Sequence, residues 1–279
     1  MLKQRIITAV ILAALFLGVI FLAPLQQYAQ VISVVVAIAA WEWANMSGFK
    51  AQWQRVLYAI GILLLAMVAA GYNGYYETGV FSGEELLSVF GAAGIWWAVA
   101  LLWVQSYPAS AVLWGRRWTR AIMGVFVLVP TWLAFIFLRT QPNGEWLIIL
   151  LVVIVAAADV GAYFVGKNFG KRKLAVHVSP KKSWEGFWGG FALCLLLATG
   201  FCYWAGEGYQ LVAIVAPVAL VSVLGDLMAS MVKRERGIKD SSNLLPGHGG
   251  FMDRVDSLTA AAPIFSLAIL LTGWEMPAF

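Results

Sequence analysis

Apolar stretches long enough to cross a bilayer recur along the whole 279-residue chain, and they limit the fold before any other feature does. A helix needs about 20 predominantly apolar residues to span the hydrocarbon core. Nine such runs can be marked, at about 6–23, 28–44, 55–70, 86–104, 121–138, 146–166, 187–206, 210–231 and 257–273. In lipid only helices and closed barrels satisfy their own backbone, and these runs lack the period-two alternation of barrel strands. Charged residues make up 12% of the chain, about half the share found in soluble domains. The expected fold is an all-α polytopic integral membrane protein of about nine transmembrane helices.

The opening stretch "MLKQRIITAVILAALFLGVIFLA" has the basic start of a secretory signal. Its apolar run is longer than a signal's and no small-x-small cleavage site follows, so it reads as a retained first span. Cys194 and Cys202 share one apolar run without ligand-like spacing and indicate neither zinc nor a redox compartment. Residues 1–120 then hold about four N-terminal spans, and 121–279 about five spans with loops 167–186 and 232–256.

Basic residues choose the orientation. With the N-terminus inside, segments 1–5, 45–54, 105–120, 167–186 and 232–256 are cytoplasmic and, with Arg55 at their edge, hold 18 of the 19 lysines and arginines. Only Arg139 falls outside, and the outer loops carry Glu77, Glu84, Glu85, Glu145 and Glu207. That is the positive-inside pattern.

Two aspartates interrupt apolar spans, Asp159 in "IVAAADVGAYFVGK" and Asp226 in "LVSVLGDLMASMVKR". An ionisable group in a span is costly and is a functional candidate by default. At 1.5 Å per residue each lies roughly 10–12 Å below the basic edge marked by Lys167 or Lys233. Each adjoins a glycine, Gly161 or Gly225, that lets helices approach closely. Together they suggest a polar cavity open to the cytoplasm.

Residues 239–257, "KDSSNLLPGHGGFMDRVDS", form a polar island between apolar runs. Asp253 and Asp256 share a face if a helix has begun there, and with Asp226 they suit a hard cation such as magnesium. The glycines of "PGHGG" let backbone N–H groups approach an anion, and Lys233, Arg234, Arg236, Lys239 and Arg254 add positive charge. Metal ligands beside phosphate-binding cations describe a phosphoryl or nucleotidyl transfer site.

The stretch "SMVKRERGIKDSSNLLPGHGGFMDRVD", residues 230–256, resembles the signature of the phosphatidate cytidylyltransferase (CDP-diacylglycerol synthase) family. It has Ser-x-apolar-Lys-Arg, Lys-Asp, Pro-x-His-Gly-Gly and Asp-Arg-apolar-Asp in order, and "DVGAYFVGKNFGKRKLAVHVSPKKSWEG" resembles the family's other marked segment. The resemblance implies an enzyme that transfers CMP from CTP to phosphatidate, yielding CDP-diacylglycerol and diphosphate in phospholipid biosynthesis, with magnesium required. It leaves open a second metal or a monovalent cation. It implies Asp226, Asp253 and Asp256 as metal ligands, with Asp159 a polar member of the same site. Lys239 and His248 join the acids as catalytic candidates. Ser179, Lys181, Lys182, Ser183, Lys233, Arg234, Arg254, Gly249 and Gly250 are the candidates for binding substrate phosphates. The implied setting is the bacterial inner membrane, with lipid and CTP as partners, no nucleic acid, and room for a homodimer.

The attacking phosphate oxygen of phosphatidate is already anionic near neutral pH, so a single in-line displacement needs no strong general base. A route through a protein nucleophile would fall to His248 or the island's hydroxyls. Two rivals are weaker. A cation-coupled transporter would show broken helices in paired halves, which the sequence lacks. A polyprenol kinase would also use CTP. "GAYFVGKN" at 161–168 misses a P-loop because Asn168 replaces the metal-binding hydroxyl and a membrane span precedes it.

Overall fold

The computed structural model describes residues 2–75, 81, 83–206, 208–245, 247 and 249–277, without the side chains of residues 2–10, 12 and 84. The helices are α1 (Leu2–Leu22), α2 (Leu25–Ser47), α3 (Gln52–Tyr72), α4 (Gly83–Gln105), the single turn α5 (Ala111–Trp114), α6 (Arg117–Thr140) and α7 (Gly144–Phe169). A short hairpin, β1 (Lys173–Ala175) and β2 (Ser179–Ser183), leads to α8 (Trp184–Ala205), α9 (Gln210–Glu235) and α10 (Met252–Thr272). Among the described residues, eight helices, α2 to α4 and α6 to α10, are long and apolar enough to cross a membrane. Helix α1 precedes them, with Ala13–Leu22 as a shorter apolar stretch.

The helices outrun the apolar windows. Helix α10 begins at Met252 rather than 257, and α9 continues to Glu235 rather than 231. Hydropathy marks the lipid-facing part of a helix, whereas the hydrogen-bonded ends persist wherever polar partners receive their free groups. Both extensions bear on the site, because they set Lys233, Asp253 and Asp256 on rigid helix.

Helices α6, α9 and α10 are the most enclosed of the spans. Buried polar ties fix them: Thr131 Oγ1 donates to Thr259 O across α6 and α10 at 3.0 Å, and Trp43 Nε1 of α2 donates to Arg120 O of α6 at 2.8 Å. Small residues set two close crossings. A Cβ on Gly161 of α7 would lie 2.8 Å from Gly190 Cα of α8, and one on Gly225 of α9 would collide with the backbone carbonyl of Asp256 on α10. The second crossing seats Asp226 beside Asp256. Close backbone approach through small residues is how membrane helices gain contact when lipid supplies no hydrophobic drive between them.

Candidate active site

The hairpin between α7 and α8 pairs Lys173 with Ser183 and Ala175 with Ser179. Ser183 then caps α8, its Oγ accepting from Gly186 N at 3.1 Å. Glu185 folds the chain back by accepting from the backbone N–H groups of Lys171 and Arg172 at 3.0 and 3.2 Å. Lys182 reaches inward, its Nζ lying 2.6 Å from Asp226 Oδ2, while Lys181 stays exposed.

Asp226 sits on α9, where its Oδ1 also accepts from Ser230 Oγ one turn on, at 3.1 Å. Further along α9, buried Lys233 places Nζ 2.6 Å from Asp253 Oδ1. Asp253 Oδ2 accepts from Ser241 N at 2.9 Å and Gly250 N at 3.1 Å, so one carboxylate ties a lysine to both ends of the island. Asp256, one turn further on α10, is buried, and its Oδ1 accepts from Ser257 N at 2.8 Å. Asp159, Asp226, Asp253 and Asp256 line one cavity of about 310 Å³ with Arg254, Ser257 and an apolar wall from α7. Lys182 and Asp226 both act electrostatically on Asp159.

The four aspartates anticipated from the sequence are therefore brought together, and two anticipated lysines neutralise two of them. The remaining candidates lie elsewhere. Ser183 is buried and committed to its cap. Ser179 is partly exposed at the start of β2, and Lys239 is exposed in the island. Arg234 Nε donates to Val178 O of the hairpin at 3.3 Å. Gly249 adopts φ +83°, and Leu245 N donates to its carbonyl at 2.9 Å. The Gly250 N–H serves a carboxylate of the protein itself. His248 lies outside the described residues.

Oxygen donors of this kind suit a hard divalent cation. A carboxylate offers about four acceptor positions. Among the described residues Asp226 has hydrogen-bonding or ionic partners at two and Asp256 at one, so both retain capacity, while Asp253 has three. The ammonium groups at 2.6 Å from Asp226 and Asp253 show where positive charge is already drawn. Among the described residues, however, no group of three or more His, Cys, Asp or Glu converges at metal-holding distance, so the aspartates supply the donor type without a formed set of ligands.

One residue was missed by reading the sequence. Glu42 of α2 is fully buried, and its carboxylate gathers the island from almost 200 positions away. Ser241 Oγ donates to it at 2.8 Å and Phe251 N at 2.9 Å; Ser242 Oγ and Met252 N complete the set. Two of these donors are backbone groups at the start of α10, where free N–H groups favour an anion. Asn45, one turn along, adds a bond from Nδ2 to Ser241 O at 2.7 Å. Gly250 is packed so tightly here that a Cβ would lie 2.9 Å from Glu42 Oε2 and would overlap Ser241 Oγ. The signal was available, since Glu42 in "AWEWANMS" is an acid in an apolar run, as Asp159 and Asp226 are.

A family model described as "Cytidylyltransferase family" matches residues 3–272. The chain is 47% identical to a phosphatidate cytidylyltransferase of Pseudomonas aeruginosa, over 99% of this chain and 100% of that protein. It is 39% identical to a phosphatidate cytidylyltransferase of Haemophilus influenzae, over 95% of this chain and 98% of that one. A phosphatidate cytidylyltransferase of Bacillus subtilis is 32% identical over 96% and 98% respectively.

Proposed function

The chain belongs to the cytidylyltransferase family, and from that premise we propose that its four-aspartate cavity transfers CMP from CTP to phosphatidate. A phosphate oxygen of phosphatidate forms the new bond to the α-phosphorus of CTP. The bond from that phosphorus to the oxygen bridging to the β-phosphorus breaks, and diphosphate leaves with the electron pair. The products are CDP-diacylglycerol and diphosphate. The observation that carries this reading is the pairing of Lys182 with Asp226 and Lys233 with Asp253 beside Asp256 in one cavity.

The chemistry demands charge neutralisation more than proton transfer, because two polyanions meet and a third leaves. Lys182 comes from the hairpin and can turn from Asp226 toward an incoming phosphate. Lys233 is held by Asp253 on a buried helix and supplies a fixed charge. Arg254 on the cavity lining adds a guanidinium suited to phosphate oxygens. Magnesium would be held by Asp226 and Asp256, with Asp253 sharing through its remaining position, and would stabilise charge developing on the phosphate oxygens. Glu42 is a positioning residue: it fixes the island and the start of α10, and so the direction of Asp253 and Asp256.

Incubating the purified protein with CTP labelled at the α-phosphate, phosphatidate and magnesium should move label into lipid with release of diphosphate. No lipid-soluble label with phosphatidate, but transfer of label from γ-labelled CTP to a polyprenol, would overturn the assignment. Chiral α-thio-CTP should turn over with inversion at phosphorus, as one displacement requires; net retention would mean a protein-bound intermediate. We further propose that the protein lies in a bacterial inner membrane with the basic end of the bundle in the cytoplasm, where CTP is found. Cysteine at Lys173 or Lys239 should then be shielded in intact cells from an impermeant thiol reagent, and cysteine at Tyr209 should react.

A further inference from the structure

The basic end of the bundle holds a second set of cations that the catalytic cavity does not use. Arg120, in the first turn of α6, is only 8% exposed, and its Nε is buried with no hydrogen-bond partner. Arg236, the residue that ends α9, likewise has a buried Nε without a partner. Both converge on Gly48, the left-handed residue after α2. A Cβ built there would lie 3.4 Å from Arg120 Nη2 and 3.6 Å from Arg236 Nε. Arg236 also acts electrostatically on Arg55 of α3, so three guanidiniums crowd one small region. The opposing charge is Glu235, which attracts Arg120 but is exposed, with Oε2 accepting from Tyr107 OH at 3.5 Å. Arg55 is better satisfied, donating from Nε to Phe49 O at 2.9 Å.

Positive-inside sorting explains basic residues at this end of the bundle. It does not explain a buried Arg120 set beside a partly buried Arg236, each with a buried Nε that lacks a partner. Buried polar groups are almost always hydrogen-bonded, and an uncompensated buried charge is strongly destabilising. An anion would supply the missing partner. Planar guanidinium forks match phosphate oxygens in geometry as well as charge. The flanking side chains point to the source. Trp53 and Trp118, beside Arg55 and Arg120 on their helices, are 65% and 64% exposed, and Arg117 lies over the Trp118 ring at 5.0 Å. Exposed tryptophans mark the headgroup level, and basic pockets between helices at that level take anionic headgroups.

We propose that Arg120 and Arg236, with Arg55 at the rim, bind the headgroup phosphate of an anionic phospholipid at a site separate from the catalytic cavity. None of these arginines lines the cavity of the four aspartates. The proposal does not depend on the reaction assigned to that cavity.

Thermal unfolding of the whole protein in neutral detergent tests it, with dioctanoyl phosphatidylglycerol, dioctanoyl phosphatidylcholine and inorganic phosphate as the three probes. Phosphatidylglycerol should raise the melting temperature by about 2–4 °C at saturation, and the other two should not. Arg236→Gln should lose most of that rise. Without lipid, Arg236→Gln should melt at or above the wild type, because relief of repulsion outweighs any lost contact. A purely structural arginine would lower melting with and without lipid, so that result overturns the proposal. Arg236 is only partly buried, so its variant is read first, and Arg120→Gln should repeat the result. An equal rise with phosphatidylcholine, or a full rise retained in Arg236→Gln, also overturns it. A rise with inorganic phosphate alone overturns the lipid assignment.

Discussion

Glu42 and Asp226 are both carboxylates inside apolar helices, yet their surroundings are opposite. Glu42 is sealed from solvent, and four donors from the island and the start of α10 fill its acceptor positions. Asp226 faces a cavity, keeps 30% of its side chain exposed, and is met by one hydroxyl and one lysine from a hairpin. The difference separates two uses of a costly charge. A fully satisfied buried carboxylate orders its surroundings and has nothing left for a ligand. A partly satisfied one that faces a cavity can exchange a protein cation for a bound one. Asp253 stands between them, with one oxygen on Lys233 and the other on the island's backbone.

The comparison breaks most visibly at the cavity. Asp226→Asn or Asp256→Asn should lower turnover at least about 100-fold, as loss of an electrostatic stabiliser does, while the melting temperature stays near that of the wild type. An Asp256 variant that keeps more than roughly a tenth of turnover would show that its open acceptor capacity goes unused. Glu42→Gln should separate the two classes. Its amide turns two donors toward groups that themselves donate, so both stability and turnover should fall. Turnover should drop by roughly 10-fold, about 1.4 kcal/mol in barrier, and extra magnesium should not restore it. Unchanged melting with lost turnover would instead make Glu42 a ligand-binding group. The smallest effect is expected for Ser241→Ala, which removes one donor to a charged acceptor and should cost about 1.5–3 kcal/mol of stability. Turnover measured below the melting range should remain within about 3-fold, under 1 kcal/mol in barrier.

Much of this protein was legible in its sequence. Apolar runs dictate membrane-crossing helices because lipid leaves the backbone no other partner. The acids of α7 and α9 stand out because each is costly where it sits, and the spacing of Asp253 and Asp256 already places them one turn apart on any helix. The order of the island's motifs carries the resemblance to the cytidylyltransferase family, which the family match bears out. Spacing could not say which of two adjacent lysines meets Asp226; the folded hairpin turns Lys182 in and leaves Lys181 exposed. Nor could it show that Ser183 is consumed by a helix cap, or that the Gly250 N–H serves Asp253. Glu42 is the sharpest case. Its type and its apolar setting were visible, but its partners lie 199 to 210 residues away. Hydrogen bonds form between atoms that folding brings within 3 Å, and only the packing of α2 against the start of α10 decided which atoms those would be.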